Sequence, residues 1–229
     1  MDWQLFAQQM ATMARDLLAQ SSEADTLERV TQSATELVEG CDAAGILHLH
    51  GTRVQTIAPT DQLVLDSHHL QEQLQEGPCF DAARDRDTTQ VYRIADLTAQ
   101  DRRWPRYAPQ ARELGIGSMM GFLLYTDKEQ LGALNLYARR PAAFTHDSET
   151  AGWLLASHAA VALSGARAQT QMDQAVATRH TIGEAMGILR AAYHLSAEQA
   201  FDLLRRRSQR ENTKLRDVAQ LVCEHGRLP

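Results

Sequence analysis

IGEAMGILRAAYHLSAEQAFDLLRRRSQRENTKLRDVAQLV, residues Ile182 to Val222, carries three successive helical signals and no strand signal. Ile182, Ala185, Met186, Leu189 and Tyr193 recur at three- and four-residue steps and form one apolar face. Ser196 followed by Gln199 is a capping box that opens a second helix. Asn212 or Thr213 caps a third, whose stripe is Leu215, Val218, Ala219 and Val222. The spacing predicts an all-α three-helix bundle, small enough that its core is thin.

The middle helix also holds Arg205, Arg206, Arg207 and Arg210, with Lys214 and Arg216 just beyond. Advancing 100° per residue from Leu204, Ala197, Ala200, Phe201 and Ser208 cluster about the apolar side. Arg206, Gln209 and Arg210 fall opposite, and Arg205 and Arg207 flank. Such cations are presented to solvent. Guanidinium forks and amides suit phosphates and base edges, although the same run, with Glu198, Asp202 and Glu211 nearby, also reads as a solvated face. The charge is unevenly placed: residues 1–164 carry net −9 and residues 165–229 net +3, within a whole-chain charge of −6. A basic tail on an acidic body points to a polyanion that only the tail meets.

Upstream of this tail the pattern stays helical back to about Asp147. Leu154, Val161, Ala168, Ala175 and Ile182 recur every seven residues, with His158, Gly165, Met172, Arg179 and Met186 between them. This heptad seam predicts a long linking helix over 147–182 that pairs with its twin in a homodimer, or else packs back on its own sheet.

Residues 1–164 mix helices and strands. Trp3, Phe6, Met10, Met13 and Leu17 mark an N-terminal helix within 1–26. A second, capped by Asp25 or Thr26, buries Leu27, Val30, Ala34, Leu37 and Val38. Ile46–His50 and Arg53–Ala58 read as strands around Gly51, and Gln62–Gln75 as a helix stopped by Gly77-Pro78. A strand over Thr89–Ile94, a short helix ending at Gly115, and a hairpin of Ser118–Tyr125 and Gln130–Tyr137 joined through Asp127–Glu129 complete the pattern. The order predicts an antiparallel sheet flanked by helices, an α+β domain.

Several chemistries find no support. The three cysteines, Cys41, Cys79 and Cys223, are far apart and form no CxxC pair, which fits a reducing cytoplasm and argues against disulfides or structural zinc. His48 with His50, and His68 with His69, are candidate metal pairs, but no Asp or Cys completes a shell. Cys79 near a helix start is a candidate redox or chromophore site, with a buried inert thiol as the alternative. Arg103, Trp104 and Arg106 offer aromatic and cationic groups for RNA, or a packed tryptophan with solvated arginines. No phosphate-binding loop, nucleophile elbow or HExxH is present, so no enzyme is predicted and no cofactor is named. No signal peptide or run of about 20 apolar residues occurs, which predicts a cytoplasmic chain with no membrane contact.

The segment from about Ala175 to Arg227 resembles the ANTAR domain, the RNA-binding module of bacterial transcription antiterminators. The resemblance rests on Ile182-Gly183, Ala185, Gly187-Ile188-Leu189, Ser196, Ala200-Phe201, Leu204, Ser208-Gln209, Asn212, Lys214-Leu215 and Asp217-Val218-Ala219. Many members have Lys where this chain has Met186, and Met where it has Arg190. Residues 27–164 resemble a GAF domain through EGPCFDA (76–82), RWPRYA (103–108), LGALNLYA (131–138) and AFTHDSETA (143–151). GAF alone says little about function. Joined to ANTAR over 175–229, it implies a sensor-regulated homodimer that captures paired stem-loops in a nascent transcript and prevents a terminator from forming. Arg205, Arg206, Arg210, Lys214 and Arg216 are then expected on phosphates, and Arg190, Gln209 and Asn212 at bases. A small-molecule ligand in the GAF pocket is a further expectation. The alternatives are a ligand- or redox-sensing module acting through protein partners, and a DNA-binding regulator.

Overall fold

A computed structural model describes residues 3–50, 53–78, 81, 91–97, 103–125 and 130–228. The chain divides into two compact units, Met1–Arg167 and Ala168–Pro229. The expected Gly51 turn, the Asp127–Glu129 loop, Thr89-Gln90 at the start of the third strand, and Cys79 lie outside the described residues.

The first unit is built on a five-stranded antiparallel sheet. Its strands are β1 (Ala43–His50), β2 (Arg53–Ile57), β3 (Val91–Ile94), β4 (Ser118–Tyr125) and β5 (Gln130–Ala138), in the order β2-β1-β5-β4-β3. The expected α+β architecture is thus the observed one. Strand alternation sorts the side chains onto two faces. Ala44, Ile46, Met120, Phe122, Leu124, Leu134 and Leu136 meet α1 (Trp3–Leu18), α2 (Glu23–Leu37) and the start of α5 (His146–Tyr193). On the other face Ala43, Leu47, Met119 and Tyr137 meet α3 (Gln62–Leu74) and α4 (Tyr107–Glu113) through Leu63, Val64, Tyr107 and Ala111. Gly152 permits the close approach of α5 to β4, since a Cβ there would strike the Phe122 ring.

Local chemistry moves several expected boundaries. Ser22, rather than Asp25 or Thr26, caps α2: its hydroxyl oxygen accepts from the Asp25 N–H at 3.1 Å. Asp25 instead occupies the third helical position, where its carboxylate accepts from the hydroxyls of Ser21 and Ser22. α3 keeps its expected extent, ending at Leu74 with Gln75 as a left-handed cap, so the stop is made at Gln75 itself and not at Gly77-Pro78. Leu37, expected in the core, is only partly buried.

Helix α5 runs unbroken for 48 residues, so the linking helix and the first helix of the bundle are one element. Of the heptad positions in the first unit, Leu154 is 41% and Val161 66% exposed. In the second unit Ala168, Met172, Ala175 and Arg179 are exposed, and only at Ile182 and Met186 does the stripe become partly buried, against the bundle core. Through Ala151, Leu155, Ala159 and Leu163 the first part of α5 packs on its own sheet, the alternative to pairing, while Leu154 and Val161 of the stripe stay outside that contact.

The second unit adds α6 (Ala197–Glu211) and α7 (Leu215–His225). Its core is Ala185, Leu189, Ala200, Leu204, Val218, Ala219 and Val222. Three of these seven are alanine, which is the thin core expected of so short a bundle. The capping box forms as read: Ser196 Oγ accepts from the Gln199 N–H and Gln199 Oε1 from the Ser196 N–H. Asn212 and Thr213 do not cap α7. Asn212 terminates α6 with φ 52, a conformation asparagine tolerates, and Lys214 starts α7 without a side-chain cap. Tyr193 and Phe201 are 47% and 40% exposed, although both were expected on apolar faces. The buried arc of α6 is centred between Ala200 and Leu204 and extends toward Leu203 and Arg207, so Phe201 lies on its outer edge.

Candidate nucleic-acid interface

Every expected RNA-facing residue of the bundle is exposed. Arg190 lies in the last turn of α5; Arg205, Arg206, Gln209 and Arg210 on α6; Asn212 in the turn; Lys214 and Arg216 at the start of α7. The capping box fixes where α6 begins, and burial of Ala200 and Leu204 fixes its rotation. Together these turn Arg206, 77% exposed, and Arg210, 69% exposed, to solvent. Arg207 lies inward of them and pairs with Glu211 at 2.6 Å.

The patch is not bare charge. Asp202 holds Arg205 through Oδ1 and Arg206 through Oδ2, the latter at 2.8 Å. The Arg205 hydrogen bond holds the Asp202 carboxyl below the usual carboxylate range. Arg216 pairs with Asp217 at 3.1 Å, and Arg210 approaches Glu211 at 4.0 Å. Each of these partners belongs to the bundle itself. Among the described residues, Arg190 and Lys214 make no ion pair. Solvent screens exposed pairs of this kind and leaves them weak, so phosphates can compete for the guanidiniums. Asp202 was readable in the sequence, three residues before Arg205 and four before Arg206, but only as general surface charge. A groove of about 540 Å³, lined in part by Tyr193, Leu195, Leu203 and Arg206, was not, because Tyr193 was read as core.

The motifs in the first unit have structural roles. Glu76 Oε1 accepts from the Arg106 and Tyr107 N–H groups at 2.8 and 3.0 Å, and Oε2 pairs with the Arg106 guanidinium at 3.2 Å. Burial raises the Glu76 carboxyl, but these donors outweigh it and hold it below its ordinary value. Asp81 accepts from Trp104 Nε1 at 2.9 Å, while Arg103 stacks over the Trp104 ring and pairs with Asp81. Glu76 and Asp81 therefore hold Arg103, Trp104, Arg106 and Tyr107, and Trp104 is buried; the packed-tryptophan alternative holds.

The second sheet face carries a buried polar chain. The Tyr92 hydroxyl donates to Asn135 Oδ1 at 2.7 Å, which leaves Asn135 Nδ2 to donate to His68 Nε2 at 3.0 Å. His68 Nδ1 then bears the proton and donates to Thr56 Oγ1 at 3.0 Å. Burial pushes the His68 imidazole down to about 3, so it is neutral. The chain links the edge strands β2 and β3 through central β5. Both ring nitrogens are used, so His68 is not the metal ligand considered from the sequence. His69 is exposed and bonds Gln73, the side chain of His50 is outside the described residues, and no metal-type cluster occurs among the described residues. Burial pushes the Cys41 thiol up to about 12, which makes it inert.

Comparison with known proteins fits this geometry. The GAF domain family matches residues 20–164, more than half of the chain, and the ANTAR domain family matches residues 170–222. The chain belongs to the GAF family and carries an ANTAR domain. GAF domains are signal-sensing modules and ANTAR domains are RNA-binding antiterminator modules. The Stigmatella aurantiaca phytochrome photosensory core module is similar at TM-score 0.62 and 13% identity, with 87% of this chain and 44% of that one covered. The chain therefore spans less than half of that protein. The GAF domain of a Coxiella burnetii phosphoenolpyruvate-protein phosphotransferase aligns at TM-score 0.57 and 16% identity, covering 75% of this chain and 99% of that one. The corresponding Acinetobacter GAF domain gives 0.53, 15%, 73% and 96%. At these identities the likeness shows the fold alone. No curated protein matches the chain. Within the described residues no helix is long and apolar enough to cross a membrane.

Proposed function

We propose that this protein is an RNA-binding regulator of transcription antitermination, not an enzyme, working in the cytoplasm as a homodimer. The observation that carries the reading is the solvent-facing cationic surface of the ANTAR bundle, with Arg206 and Arg210 turned outward. Arg205, Arg206, Arg210, Lys214 and Arg216 bind phosphates of paired stem-loops in a nascent transcript, and Arg190, Gln209 and Asn212 meet unpaired bases. The GAF unit senses a small-molecule signal. The exposed stripe of Leu154, Val161, Met172 and Ala175 along α5 supports pairing of two copies over about 147–182. Two copies present two bundles, which raises the effective concentration at a second stem-loop. Selection of RNA by the purified chain from a randomised two-stem-loop pool tests this. Enrichment of stem-loops with unpaired loop bases is expected. Equal retention of duplex DNA, or no enrichment at low salt, overturns it.

A further inference from the structure

Arg205 and Arg206 are successive residues, about 100° apart around α6. One carboxylate draws both toward itself: Asp202, at i−3 and i−4, takes Arg205 on one oxygen and Arg206 on the other. Glu211 stands differently, with Arg207 at 2.6 Å and Arg210 only at 4.0 Å. Asp202 also lies on the wall of the groove of about 540 Å³, beside Tyr193, Leu195, Leu203, Arg206 and Leu228. The groove is therefore lined by apolar side chains, an aromatic ring and a carboxylate–guanidinium pair.

A polyanion that draws Arg205 and Arg206 to its phosphates strips Asp202 of both cations and leaves it facing like charge. That cost falls on every nucleic acid, unless the ligand returns N–H donors to the carboxylate. Pairing takes up the Watson–Crick N–H donors and leaves only groove-edge ones, whereas an unpaired base offers its whole Watson–Crick edge and an open π-face that stacks on an aromatic ring.

We propose that Asp202 is a specificity-determining residue of the RNA-binding face. It occupies Arg205 and Arg206 until an unpaired base enters the Tyr193 groove and donates hydrogen bonds to the freed carboxylate. The inference rests on the RNA-binding reading above and adds to it the means by which loops are told from duplex.

The test uses the full chain, the Asp202→Asn variant and the Glu211→Gln control. Fluorescence anisotropy measures binding to a stem-loop RNA obtained by the selection above and to a fully paired RNA duplex, across a salt series. Asp202→Asn is expected to tighten duplex binding and to steepen its salt slope by up to two contacts, roughly 0.7–0.9 each. The preference for stem-loop over duplex is expected to fall about tenfold, the loss of one charged hydrogen-bonding partner at a base. Glu211→Gln should leave that preference within about twofold. An Asp202→Asn preference equal to wild type, or equal erosion by Glu211→Gln, overturns the inference while the RNA-binding reading stands. Wild-type protein without any stem-loop preference overturns both.

Discussion

Lowering the pH from 7 to 5 should weaken the GAF unit through one side chain. His68 is completely buried, and its imidazole is pushed from 6.5 to about 3. Its Nε2 accepts from Asn135 and its Nδ1 donates to Thr56, so a second proton finds a donor where it needs an acceptor. The sign follows from linkage. The unfolded chain takes up a proton near 6.5 and the folded chain does not, so stability is full above 6.5 and is lost as pH falls toward 3. The slope is about 1.4 kcal/mol per pH unit, and the loss between pH 7 and pH 5 is about 2 kcal/mol. Glu76, whose carboxyl is held low, acts in the same direction only at lower pH, as pH falls from its ordinary value through its folded one. Urea unfolding followed by tryptophan fluorescence reads this unit alone, because all three tryptophans, Trp3, Trp104 and Trp153, lie within Met1–Arg167. His68→Gln should remove most of the pH dependence between 7 and 5, whatever its own cost. Wild-type protein equally stable at both pH values, or a variant with an undiminished slope, refutes the buried neutral imidazole.

Gly121→Ala would place a Cβ inside the Tyr92 ring, displacing the hydroxyl from Asn135. The expected cost is about 1–3 kcal/mol, shrinking to near zero in a Tyr92→Ala background; an undiminished cost there would show that the crowding involves other atoms. Leu189→Ala in the thin bundle core should cost about 2–5 kcal/mol, read as lost helical signal on mild heating, and an unchanged melting curve would contradict the packing described. Val161→Glu with Met172→Glu should convert the proposed dimer to monomer in analytical ultracentrifugation without loss of helix content; a dimer that persists rules out the exposed α5 stripe as its seam.

Much of the fold was legible because its signals are local. The two apolar runs Ser118–Tyr125 and Gln130–Tyr137 marked the hairpin strands, and both form, the second one residue longer. Ser196 with Gln199 announced α6, and both hydrogen bonds of the box exist. What was misread depends on contacts distant in sequence or on small energy differences. Ser22 competes with Asp25 and Thr26 for one cap, and all three residue types are competent. Phe201 and Tyr193 carry the apolar character of core residues, but a bundle whose core is seven residues, three of them alanine, covers only a narrow arc of each helix. The Tyr92–Asn135–His68–Thr56 chain bonds residues directly across as many as 67 positions, so no spacing rule reveals it. The cationic surface was legible as charge, whereas its division into paired and unpaired groups by Asp202, Glu211 and Asp217 appears only once side chains are placed.

The measurement that bears most directly on RNA capture by the bundle is the salt dependence of stem-loop binding for wild type and for Arg206→Ala combined with Arg210→Ala. These two guanidiniums are the most exposed of the α6 run. Two lost phosphate contacts should weaken binding and flatten the slope of log affinity against log salt by roughly 0.7–0.9 per contact. Unchanged affinity together with an unchanged slope would contradict it.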